Sequence, residues 1–303
     1  MHIHRTTAAD LIALRPAHDS FVGVDSDGCV FDTMDVKQKA HFHPLICTFW
    51  GLERIEPQVR AAAEFVNIGS KTRGQNRFTN LLLTFELLET WDVVRASGVP
   101  LPRTEALRAY CQSVLPLGNP SLQAEVARNG DPDLKRVLEW SLAVNVDIDT
   151  RMRPTPPFPW ALKSLERIAR ACDAIVVSQT PEEALLKEWH HHGIAHRVCA
   201  IAGQEVGSKA HQIRLATDGR YRPGRVLLIG DAPGDLAAAT DADVLFYPIL
   251  PGREDASWHR FHEESFDRFL AETYAGAYAD DLTRAFLDAL PDTPPWLTRA
   301  ARA

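Results

Sequence analysis

The chain has 303 residues, 45% of them hydrophobic and 24% charged, and carries a formal net charge of −7. That length accommodates two domains of ordinary size, and the balance is that of a soluble globular protein. The acidic excess argues against nucleic acid as a partner, no apolar run approaches the ~18 residues that span a bilayer, and five cysteines without regular spacing point to a reducing compartment. The opening "MHIHRTTAADLIALRPAHDS" has neither a continuous apolar region nor a small-residue cleavage site, so a secretory signal is not expected and cytoplasmic residence is.

In chain order, "FVGVD" (21–25) reads as the first buried strand. It runs into "SDGCVFDTM", which places Asp25, Asp27 and Asp32 within eight residues. Carboxylates crowded at a strand end repel one another unless a cation or a proton offsets the charge. From 33 to 152 the pattern is helical throughout, as in "LLLTFELLETWDVVRA" (81–96) and "PDLKRVLEWSLAVN" (132–145). The basic, glycine-containing "GSKTRGQNRF" (69–78) interrupts it and offers Lys71, Arg73 and Arg77 to an anionic substrate. "RPTPPFPW" (153–160), with four prolines in eight residues, ends it as extended chain.

Short β-branched and aliphatic runs then alternate with helices. "PWALKSLERIARA" (159–171) has apolar positions at helical spacing, and "DAIVVSQ" (173–179) is a buried strand. "PEEALLKEWHHHGI" (181–194) opens on Pro and Glu and stops at Gly193. "RVCAIAG" (197–203) is a weaker strand, "RVLLIGD" (225–231) a strong one, and "ADVLFYP" (242–248) weaker again. The tail from 254 to 290 is helical and expected to pack on the core.

This alternation predicts an α/β fold: a doubly wound, Rossmann-like parallel sheet with an inserted all-helical domain. The core is expected over 1–32 and 153–303, with 250–303 as a helical extension, and the insert over 33–152. In such sheets the reactive groups gather at the carboxyl ends of the strands, and the three strongest strands all end in polar residues.

Four motifs in order carry a resemblance: Asp25-Ser26-Asp27-Gly28, Ser178 at a strand end, Lys209 in "GSKAHQI", and "IGDAPGD" with Asp231 and Asp235. Together they resemble the haloacid dehalogenase-like superfamily of aspartate-nucleophile phosphotransferases. The insert lies where one class of cap lies in that superfamily. The resemblance implies Asp25 as nucleophile and Asp27 as acid and base. It also implies Ser178, Gln179, Lys209 and the Gly28 turn as phosphate binders, and Asp25, Asp27, Asp231 and Asp235 around Mg²⁺. The substrate it implies is a small phosphorylated metabolite, such as a sugar phosphate. Three positions depart from the common pattern: Ser26 stands where an apolar residue is usual, Cys29 where Thr or Val is commoner, and no proline follows Lys209.

The residues support this chemistry on their own account. A carboxylate that attacks phosphorus splits a hard displacement into two easier ones. A second carboxylate two residues along an extended segment faces the same side and reaches the leaving oxygen. A hydroxyl and an ammonium neutralise the transferring group, and oxygen ligands suit a hard cation. Cys29 reads as a buried packing thiol rather than a nucleophile. A phosphomutase would use the same core. A phosphonate hydrolase would use a cap lysine, Lys71 being the candidate, but would lack the carboxylate at Asp27. An inactive ligand- or partner-binding relative would be expected to have lost one of the charged residues.

Overall fold

The computed structural model describes residues 5–113 and 116–300, with side chains to 297. It divides into two compact units: residues 1–34 with 154–289, and residues 35–153 with 290–303.

The first unit is built on five parallel strands, β1 (Phe21–Val24), β2 (Asp173–Val177), β3 (Ala200–Ala202), β4 (Val226–Gly230) and β5 (Leu245–Pro248), in the spatial order β3-β2-β1-β4-β5. β1, β2 and β4 are buried along their whole length, which is why they read as continuous apolar runs rather than as alternation. Helices cover the sheet. Helix Pro159–Ala171 buries Ala161, Ser164, Leu165 and Ile168, one stripe at helical spacing. This is the Rossmann-like α/β fold expected. The chain winds outward from β1 through β2 to β3, then returns to β4 and β5, so the order reverses beside β1 and leaves a crevice at its carboxyl edge. The weaker strands are shorter than their apolar runs: the chain makes a 3₁₀ turn at Ala195–Arg197 before β3, and β5 begins only at Leu245.

The tail packs on this unit as far as residue 289. Trp258, Phe261, Phe266 and Phe269 join Val22, Leu227 and Ile229 in one apolar core. The segment from Leu290 corrects the expected boundary, because it belongs to the second unit. There Trp296 stacks on Trp91, ring centroids 4.3 Å apart and 9° from parallel, and meets the edge of Phe65. A single, partly buried aromatic in "PDTPPWL" makes this contact, and one aromatic makes no periodic signal.

The second unit is helical, with no strand among its described residues. Helices Glu56–Asn67, Arg77–Thr90 and Pro132–Arg151 each turn an apolar stripe inward, including Val59, Ala62, Leu81, Phe85, Trp140 and Val144. Asp131 caps the last of these, its Oδ1 accepting from Asp133 N and Leu134 N at 2.9 Å each. His43 lies in this core with its Nε2 lacking a hydrogen-bond partner. Burial, then the charges of Arg60 and Lys39, lower its pKa from 6.5 to about 3. Below pH 6.5 the unfolded chain therefore takes up a proton that the folded chain refuses, so stability is full above that pH and falls as the pH drops towards 3. Between neutral pH and pH 5 this group removes about 2 kcal/mol of unfolding free energy, and His43→Leu is expected to abolish that part of the acid sensitivity in urea titrations. No described helix is long and apolar enough to cross a membrane.

Candidate active site

β1 ends at Val24, and its ladder with β4 continues for one rung through Asp25 N to Ile229 O at 2.9 Å. This backbone bond places the buried Asp25 at the carboxyl edge of the sheet, level with the end of β4. The chain then folds back tightly. Ser26 O accepts from Val30 N at 2.9 Å, and Gly28 N donates to Phe31 O at 2.8 Å. Gly28 has φ 79°, a conformation that side chains disfavour. Two fully buried indoles hold the loop: Trp189 Nε1 donates to Ser26 Oγ at 3.0 Å, and Trp258 Nε1 to Cys29 O at 2.7 Å. Ser26 is thus accommodated by a specific donor. Cys29 is fully buried, and burial, with Asp231 and Asp25 nearby, pushes its thiol well above the ordinary value, as a packing role requires.

Asp27 is half-buried. Its Oδ1 accepts from Thr33 Oγ1, and its Oδ2 accepts from Thr180 Oγ1 at 2.5 Å. Neither threonine belongs to the four sequence motifs. Thr33 lies six residues beyond Asp27, but Thr180 is 153 residues away. The only local hint at Thr180 is its place two residues after Ser178. Ser178 is buried at the end of β2, its N–H donating to Ala202 O at 3.1 Å and its Oγ accepting from Thr180 N at 3.1 Å. Helix Glu182–His191, which follows, has no side-chain cap bond. The exposed Gln179 side chain donates to Gly207 O at 2.9 Å.

Lys209 opens helix Lys209–Thr217, where Ser208 Oγ caps the first turn by accepting from His211 N at 3.3 Å. Its Nζ reaches Asp25 Oδ1 at 2.9 Å and pairs with Asp235 Oδ1. The second oxygen of Asp235 accepts from Asp231 N at 3.1 Å and from Ala232 N at 3.0 Å, fixing the turn that carries Asp231. Asp235 approaches so closely that a Cβ on Gly230 would collide with its side chain, which explains the first glycine of "IGDAPGD".

Asp25, Asp231 and Asp235 are all buried, and each offers an oxygen within 4.8 Å of the other two. Burial pushes the Asp25 carboxyl well above the usual range; Lys209 pulls it back, and Asp235 and Asp231 push it up. Burial also works against the Lys209 ammonium, but Asp235 and Asp25 outweigh it and raise its pKa. One ammonium among three carboxylates leaves negative charge in excess. A buried, all-oxygen set of this kind fits a hard divalent cation such as Mg²⁺. Asp27, expected among the ligands, lies outside this cluster of carboxylates, and its two oxygens take the hydroxyl donors described above.

The basic stretch of the second unit makes the following contacts. Arg73 is buried and donates to Ile68 O at 3.1 Å. Arg77 donates to Asn145 Oδ1 at 2.7 Å and to Ser141, and lies over the Phe42 ring, 5.1 Å from its centroid. Both guanidiniums are engaged within their own unit. Lys71 is exposed, and its Nζ pairs with Asp292 at 2.5 Å.

No protein-family model and no curated relative matches the chain. Solved structures similar to it include a haloacid dehalogenase-like family hydrolase from Streptococcus pneumoniae, at 15% identity over 81% of this chain and 91% of that one, with TM-score 0.40. A haloacid dehalogenase superfamily hydrolase from Ehrlichia chaffeensis is similar at 14% identity over 78% and 89%, with TM-score 0.35. A predicted phosphatase from Clostridium acetobutylicum is similar at 11% identity over 90% and 100%, with TM-score 0.43. What the chain itself shows is a five-stranded parallel α/β core with its motif loops along one edge.

Proposed function

We propose that this chain is a Mg²⁺-dependent phosphatase that hydrolyses a small phosphomonoester through a phosphorylated aspartate. The observation that carries this reading is the convergence of Asp25, Lys209, Asp231 and Asp235 at the carboxyl edge of the sheet. Asp25 Oδ forms a bond to phosphorus as the ester P–O bond breaks, and protonated Asp27 gives its proton to the departing alkoxide. Asp27, now a carboxylate, takes a proton from the water that attacks the phosphorus of the acyl phosphate. Phosphate leaves, and Asp25 is regenerated. Thr33 and Thr180 hold the Asp27 carboxyl in a fixed orientation for both transfers. The Ser178 hydroxyl and the Lys209 ammonium bind the phosphoryl oxygens.

Asp25 and Asp231 would hold the cation, with Asp235 anchoring Lys209 and the Asp231 turn behind them. When bound, Mg²⁺ supplies positive charge to the phosphoryl oxygens. The helical unit is read as a cap that selects a small metabolite. All five cysteines are free, which agrees with action in the cytoplasm. A mutase would differ only in the fate of the phosphoryl group. The phosphonate reading would use Lys71 as its amine and leaves the Asp27 carboxylate, held by Thr33 and Thr180, without a role.

Purified protein is expected to release phosphate from an aryl phosphate with Mg²⁺ present, to lose that activity in EDTA, and to regain it when Mg²⁺ is restored. Unchanged turnover in EDTA would sink the metal-dependent reading.

A further inference from the structure

We infer that Gln212 is a positioning residue that holds the two phosphoryl-binding loops, those of Ser178 and Lys209, in register. The inference rests on the phosphatase reading and adds to it a residue outside the four motifs.

Gln212 lies one helical turn beyond Lys209 and is completely buried. Its carboxamide is fully engaged with main chain. Oε1 accepts from Ser178 N at 3.2 Å, and Nε2 donates to Ser178 O at 3.0 Å, Gly203 O at 2.8 Å and Gly207 O at 3.0 Å. The pairing of β2 with β3 ends at Val177 and Ala202. At that end Ser178 N still donates to Ala202 O, and the Gln212 head shares this N–H and also meets the C=O of Ser178. The remaining bonds fasten the two ends of the 203–207 loop, which delivers the chain to Ser208 and Lys209. One amide head therefore joins the end of β2, the loop before Lys209 and the helix that Lys209 begins.

The residue type follows from this work. Only a carboxamide presents a donor pair and an acceptor on one planar head. A carboxylate would face three carbonyl oxygens without a donor, and an apolar side chain of similar length would remove the links between the two loops, leaving Ser178 N only Ala202 O, Gly203 O only Val206 N and Gly207 O only Gln179. A plain structural role would lower stability alone. A positioning role predicts that the effect on phosphoryl binding depends on Ser178 being present.

The test is a double-mutant cycle with Ser178→Ala, read as kcat and KM for an aryl phosphate and as inhibition by orthophosphate. Gln212→Met is expected to lower kcat/KM about 30-fold, mainly through KM, and to weaken orthophosphate inhibition in parallel. In the Ser178→Ala background the same change is expected to cost less than about threefold. Equal fold-losses in both backgrounds would overturn the inference. If Gln212→Met does not fold, Gln212→Glu, which keeps the shape and loses the donors, is carried through the same cycle with the same criterion. An inactive wild type would instead sink the phosphatase reading, whereas an active wild type with equal losses would sink only the role of Gln212.

Discussion

Asp25→Asn is expected to abolish phosphate release, by at least about 10⁴-fold, without loss of the fold. The amide oxygen carries no charge to bring to phosphorus, so the first displacement has no nucleophile. The stability expectation is separate and follows from electrostatics. Burial makes the ionised Asp25 costly, Lys209 offsets part of that cost, and Asp235 and Asp231 add to it. An uncharged isostere removes the cost and leaves Lys209 its partner Asp235. The melting temperature should hold or rise. Activity above a tenth of wild type would overturn the nucleophile, and a marked fall in melting temperature would overturn the account of the charges.

Lys209→Met is expected to damage both activity and stability. It removes the cation from a buried group of carboxylates. Breaking a buried pair by deleting one partner costs roughly 3–5 kcal/mol, because the remaining charge is left uncompensated. Losing a preorganised donor to the phosphoryl oxygens should lower kcat by about 10³-fold. Lys209 is held charged by a raised pKa; its contribution is present below the unfolded value and lost only above the folded one, so the stability deficit should be uniform across the neutral range. Asp235→Asn added to Lys209→Met relieves the uncompensated charge and keeps an acceptor for the Asp231 and Ala232 amides. It should recover stability in urea titrations while leaving kcat low. Parallel recovery of both would show that Lys209 acts only on the fold.

The parts of this protein that could be read from its sequence are those whose signal is local. β1, β2 and β4 are buried on both faces, so each prints as a short aliphatic run. The residues that follow them, Asp25, Ser178 and Asp231, are polar where the run stops. Lys209 stood out through its order among the other motifs. The supports of the site did not stand out, because they act across long stretches of chain. Thr180 and Trp189 are separated from their partners Asp27 and Ser26 by 153 and 163 residues, and Gln212 looks like an ordinary helical residue until its carboxamide is seen against Ser178. The basic stretch around Arg73 and Arg77 is ambiguous for a related reason. A guanidinium that braces a helix packing and one that awaits an anion have the same letters.

The central claim is that the Asp25 carboxylate becomes covalently attached to phosphorus. Acid-quenching the wild-type protein during turnover with Mg²⁺ and mapping its peptides by mass spectrometry tests this most directly. The account predicts a hydroxylamine-labile phosphoryl adduct on the peptide carrying Asp25, absent from Asp25→Asn. Steady turnover with an adduct on a different residue, or with none under conditions that preserve acyl phosphates, would contradict it.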